Sequence, residues 1–167
     1  MSKILPFLLV GCVILFGVNT LHASDEEQFE KLVVQKMRAI QALDSGGTFY
    51  LLELVSLGEC VKCTITSKNI KEFLLTDSTI AKRCKYIAVP VTQRRKDAVA
   101  LMEDHTFYDS YISVTSQELS NSGAKVSGKF ILLDKSLTVR YTISFDKYIS
   151  NSIIKELTQE CRKIARE

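Results

Sequence analysis

The sequence predicts one α/β domain. Three observations carry this. A strand-like run over residues 48 to 55 gives way to helical spacing after Cys60 and Cys63, and a second β-branched run lies at Lys85 to Thr92. Two further runs, Lys129 to Leu133 and Leu137 to Ser144, flank Asp134-Lys135-Ser136, a hairpin signal. The length of 167 residues suits one domain with a proper core, and two prolines and seven glycines leave no obvious linker. A net charge of +3 with 25% charged residues and no basic run gives no electrostatic footprint for nucleic acid. Repeats and low-complexity segments are absent.

The domain is expected over 24–167, preceded by a leader over 1–23. Lys3 is followed by an apolar run from Ile4 to Val18 and then by Leu21-His22-Ala23, with an acidic segment after it, which is the pattern of a secretory signal peptide cut after Ala23. The run is about 15 residues, short of the roughly 20 that a helical span requires. Leu9-Val10-Gly11-Cys12 resembles a bacterial lipobox and makes a lipid on Cys12 the minority reading. The apolar stretch Val13 to Val18 stands where a lipoprotein has a polar tether. Cleavage after Ala23 discards Cys12 and leaves four cysteines, Cys60, Cys63, Cys84 and Cys161, in an export compartment where thiols oxidise.

From Asp25 to Leu43, the positions Phe29, Leu32, Val33, Met37, Ile40 and Leu43 follow a helical period, and Asp44-Ser45-Gly46-Gly47 stops it. Ile65, Ile70, Phe73 and Leu74 mark the helix after the cysteine pair, and Thr76-Asp77-Ser78 marks a break. Pro90 lacks an N–H for a ladder, so the strand 85–92 is expected at a sheet edge. Residues 94–105 read as a helix, 109–124 as an irregular connection, and about 147–166 as an amphipathic closing helix carrying Ile149, Ile153, Ile154, Leu157, Cys161 and Ile164.

Cys60 and Cys63 fall at the strand-to-helix junction. The first turn of a helix has unpaired N–H groups and the positive end of the dipole, and both favour a thiolate. Cys60, ahead of the helix, is expected to be the nucleophile. Cys63, about one turn in, would resolve the mixed disulfide. Lys62 favours the thiolate and Glu59 opposes it. No metal is expected: a closed zinc site needs four ligands, and Cys84 and Cys161 do not form a second Cys-x-x-Cys. His105 reads as a surface or half-buried histidine, and Phe49, Tyr50 and Phe130 read as core.

The order of elements, with LLELVSLGECVKC, YIAVPVTQ followed by RRKDAVALMEDH, and VSGKFILLDKSLTVRYT, resembles the thioredoxin fold, in particular its exported TlpA-like or redoxin-type members. The resemblance spans nearly all of residues 25 to 166. It implies a three-layer sandwich with a central mixed sheet of about four strands flanked by helices, and thiol:disulfide exchange with protein thiols or disulfides of the envelope, without a cofactor. It also implies an exported or periplasmic location with no membrane span after cleavage. The alternative is a non-enzymatic module of the same fold, such as a metallochaperone or an envelope binding partner. In the resembled fold, the starts of the second strand and the end of the last helix share one end of the sheet, which implies a structural disulfide between Cys84 and Cys161. Two separately buried thiols are the other reading. Two features depart from the family: Glu59 stands where a Trp is usual, and Ser127-Gly128, in the substrate-facing loop, stands where the family has a cis-proline.

Overall fold

The computed structural model describes residues 24–41, 48–56, 61–122, 128–145 and 149–167. The leader expected over 1–23, Cys12 included, lies outside them. The described elements are α1 (Asp25–Gln41), β1 (Phe49–Ser56), α2 (Val61–Thr76), α3 (Ser78–Arg83), β2 (Cys84–Thr92), α4 (Arg95–Glu103), β3 (Ser110–Tyr111), β4 (Val114–Thr115), α5 (Ser116–Ser122), β5 (Gly128–Asp134), β6 (Val139–Phe145) and α6 (Asn151–Ala165). The break after α2 is Asp77, whose side chain caps α3 by accepting from the N–H groups of Thr79 and Ile80.

The sheet order is β3-β2-β1-β5-β6, with β4 also on β2. β1 runs parallel to β2 and antiparallel to β5, and β5 is antiparallel to β6, so the sheet is mixed. It has six strands rather than about four, because β3 and β4, read as part of an irregular connection, each add two residues to β2. β2 is therefore not an edge. Pro90 falls, with Val89, in the break between the two short neighbours, which pair with Ile87-Ala88 and Val91-Thr92, so the missing donor is accommodated by a two-residue gap.

Strand alternation sorts the core into two layers. Tyr50, Leu52 and Leu54 of β1 face Phe29, Val33 and Met37 of α1. Phe49 and Leu51 face the other way, onto Ile70 and Leu74 of α2, Ile80 of α3, and Leu157 and Ile164 of α6. Met102 of α4 packs with Val55 and Ala88. The hairpin turn is held by Asp134, whose carboxylate accepts from the N–H groups of Ser136 and Thr138. Leu137, expected to open the second strand, instead sits in this turn with φ of 61° and a buried side chain, and β6 starts at Val139. Burial of the leucine offsets the cost of the left-handed backbone.

α5 is tied to α1 by Lys36, which donates to Glu118 at 2.7 Å. Burial acts to raise the Glu118 carboxyl, but Lys36 and the Thr115 N–H and hydroxyl outweigh it and bring it down to about 2. A carboxyl depressed from its ordinary 4.5 contributes stability that is full above about 4.5 and is lost as pH falls toward about 2. Side chains exposed by 20% and 30% are partly screened, so the expected contribution is about 1 kcal/mol. Urea unfolding of wild type and Glu118→Gln should differ by that amount at neutral pH and converge under strong acid. A difference that persists there would assign the effect to something other than the charge.

Candidate active site

β1 runs toward the start of α2, whose backbone places Lys62 and Cys63 in its first turn. The free N–H groups and dipole end of that turn provide the field that favours a thiolate. Cys60 immediately precedes α2. Cys60, Glu59 and Ser127 lie outside the described residues.

Gly128 opens β5 two residues before Phe130, which pairs with Glu53, so it lies toward the end of the sheet where β1 leads into α2. It is directly opposite Phe145 in the ladder, and a Cβ on it would fall 2.4 Å from the Phe145 ring. Close approach of that ring, which itself lies 5.1 Å from the Phe130 ring, demands the glycine. Gly128→Ala is expected to cost about 1–3 kcal/mol in urea unfolding. An unchanged midpoint would show that the Phe145 ring yields.

Beneath α2 lies a polar centre that periodicity alone does not reveal. Glu53, on the face of β1 that packs on α2, is 2% exposed. Its carboxylate accepts from Ser67 of α2 at 2.7 Å, from Tyr108 at 2.8 Å and from the hydroxyl of Tyr86 on β2. Ser67 is one turn beyond Cys63, so this acid anchors the stretch of α2 that carries the motif. Burial foremost, with the Glu53 charge added, holds the Tyr86 hydroxyl protonated well above its ordinary range. Lys71 of α2 adds a bond to Asp109 at 2.6 Å, and Asp109 also accepts from the Tyr86 N–H. The lone signal in sequence was an acid inside an apolar strand run.

A secreted thiol-disulfide isomerase from Corynebacterium glutamicum superposes with a TM-score of 0.51 at 15% identity, covering 75% of each chain. A hypothetical protein from Sinorhizobium meliloti 1021 superposes at 0.54 and 14% identity, covering 75% of this chain and 73% of its own. The chain has the thioredoxin-like fold. No protein-family model matches it, and no curated protein matches its sequence.

Within this thioredoxin-like fold, Cys84 and Cys161 are free thiols and not the expected disulfide. Cys84, half-buried, opens β2, and Cys161 is fully buried on α6 among the apolar residues under α2 and α3. Both serve as small apolar side chains there. Burial pushes the Cys84 thiol up to about 12 against the opposing pull of Lys71, and drives Cys161 higher still. Both should resist iodoacetamide in the folded protein at mildly alkaline pH and react on unfolding in denaturant. A Cys84–Cys161 link in unreduced peptide maps would overturn this assignment.

The expected half-buried reading of His105 holds, and its position was not foreseen. It lies just beyond α4, with Nδ1 at 2.7 Å from the Leu101 carbonyl and Nε2 at 3.5 Å from the Thr64 hydroxyl of α2. The carbonyl takes the proton on Nδ1, leaving Nε2 as the acceptor. Phe49, Tyr50 and Phe130 are core, each at most 3% exposed.

Proposed function

We propose that this is an exported thiol:disulfide oxidoreductase acting through Cys60 and Cys63. The observation that carries the reading is the start of α2 at Val61, immediately after Cys60, in a thioredoxin-like fold. The Cys60 thiolate attacks one sulfur of a partner disulfide and expels the other as a thiolate. The Cys63 thiolate then attacks the Cys60 sulfur, forming the intramolecular disulfide and releasing the second partner thiolate. The partner gains two electrons and the protein loses two, and the reverse sequence oxidises a dithiol partner. Glu59 and Lys62 bias the Cys60 thiolate in opposite senses.

Export rests on the leader pattern over 1–23. Among the described residues no helix is long and apolar enough to cross a membrane. Ser127-Gly128, where the family has a cis-proline, favours a narrower set of partners, or a weaker activity, than general protein disulfide exchange.

The second reading, a metallochaperone, draws on one observation: His105 approaches α2 at Thr64, the residue after Cys63, with Nε2 as the nitrogen available for ligation. Insulin reduction by dithiothreitol, with and without the protein, separates the two. Acceleration together with a metal-free protein purified under reducing conditions supports exchange. No acceleration together with bound metal supports the second reading.

A further inference from the structure

We propose that two copies of this chain pair edge to edge through β6. The strand ends the sheet, and among the described residues no strand lies on its outer side. Exposed edges are normally blunted by charge, proline or a bulge. β6 carries such a bulge at Arg140, which the register of the β5–β6 ladder skips, but beyond it Tyr141 to Phe145 continue as a regular run of Tyr, Thr, Ile, Ser and Phe without a charge. Arg140 is held within its own chain by Asp134 at 3.3 Å and Glu167 at 2.9 Å.

That run is self-complementary about Ile143. In an antiparallel pair centred there, Ile143 meets its copy, Tyr141 meets Phe145, and Thr142 meets Ser144. Partners in each pair share a face, because Tyr141, Ile143 and Phe145 oppose Leu132, Phe130 and Gly128, whereas Thr142 and Ser144 oppose Ile131 and Lys129. Aromatic and β-branched pairs form on one face; on the other, Thr142, whose hydroxyl donates to Glu30 of its own α1, stands across from Ser144, and no like charges meet within the run. A two-fold axis through Ile143 gives an isologous, closed contact.

A five-residue edge alone is smaller than the roughly 800 Å² per partner of a standard interface. The remainder is at hand on the α2 side, where Tyr141, Ile143 and Phe145, with Ile149, Ile153 and Ile154, form a rim only partly covered by their own chain. On the α1 side, a groove of about 550 Å³ lies between α1 and Val139, ahead of the run. Because β6 runs in the same direction as β1, the two-fold directs the two Cys-x-x-Cys ends of the continuous sheet in opposite directions.

Sedimentation velocity of the chain lacking residues 1–23, in the micromolar range, is expected to give twice the chain mass. Ile143→Lys, which sets two ammonium groups face to face, should give the monomer mass with an unchanged circular dichroism spectrum. Ser144→Lys, at an exposed position, serves if Ile143→Lys fails to fold. Ile143→Cys should yield, on oxidation, a chain-to-chain link from position 143 to its copy in peptide maps. A wild-type monomer throughout that range, a dimer indifferent to a folded lysine variant, or no such link would overturn the pairing.

Discussion

Cys60→Ser is expected to reduce insulin turnover to the rate of dithiothreitol alone, because a serine hydroxyl at neutral pH supplies no nucleophile comparable to a thiolate. Cys63→Ser should behave differently: attack by Cys60 survives while resolution is lost, so a mixed disulfide with the partner accumulates and its mass identifies the partner. The helix start predicts the pH response as well. Thiols so placed have pKa values of about 3.5–7.5, against about 8.5 for a free thiol, so alkylation of Cys60 should rise with pH and level off by about pH 8. Cys84 and Cys161, buried with raised pKa values, should contribute nothing to that curve. Equal loss of turnover in a Cys84→Ser variant, or Cys60 alkylation that begins only above about pH 8.5, would be incompatible with the proposed roles.

The fold was legible where periodicity was long. The strand run 48–55 and the helical run 25–43 correspond to β1 (Phe49–Ser56) and α1 (Asp25–Gln41), because β1 is a continuous apolar run buried on both faces and α1 buries one face whose period repeats often enough to read. β3, β4 and α5 escaped, since two-residue strands and a seven-residue helix are too short to establish a period; they owe their form to β2 and to the Lys36–Glu118 tie. Pro90 was misplaced for a related reason: a missing donor specifies a local gap, not which strand lies beyond it. The start of α2 at Val61 was legible because the start of a helix is a local event. The polar support under it was not, since Glu53, Ser67, Tyr86 and Tyr108 meet only through strand register and helix docking. Cys84 and Cys161 share one apolar cluster as free thiols, and a shared end of the sheet does not by itself specify the geometry a disulfide requires.

Glu53→Ala is expected to be among the most destabilising single changes, on the order of 3–5 kcal/mol, because it removes the acceptor for three hydroxyls at once. Tyr86 and Ser67 are each 1% exposed, and each buried group left without a partner costs about 1–3 kcal/mol. The same residue type removed from an exposed helix face would change stability by less than about 0.5 kcal/mol. Volume loss alone is a competing explanation, and a multiple variant distinguishes the two. Glu53→Leu combined with Tyr86→Phe and Tyr108→Phe deletes donors and acceptor together while filling the space, and it should cost less than Glu53→Ala by itself. Urea unfolding gives both numbers. If the multiple variant is at least as unstable as Glu53→Ala, packing and not hydrogen-bond satisfaction dominates at this site. If Glu53→Ala is also folded but exchanges the α2 amides faster, the carboxylate's role is to hold the helix that carries Cys63 against the sheet.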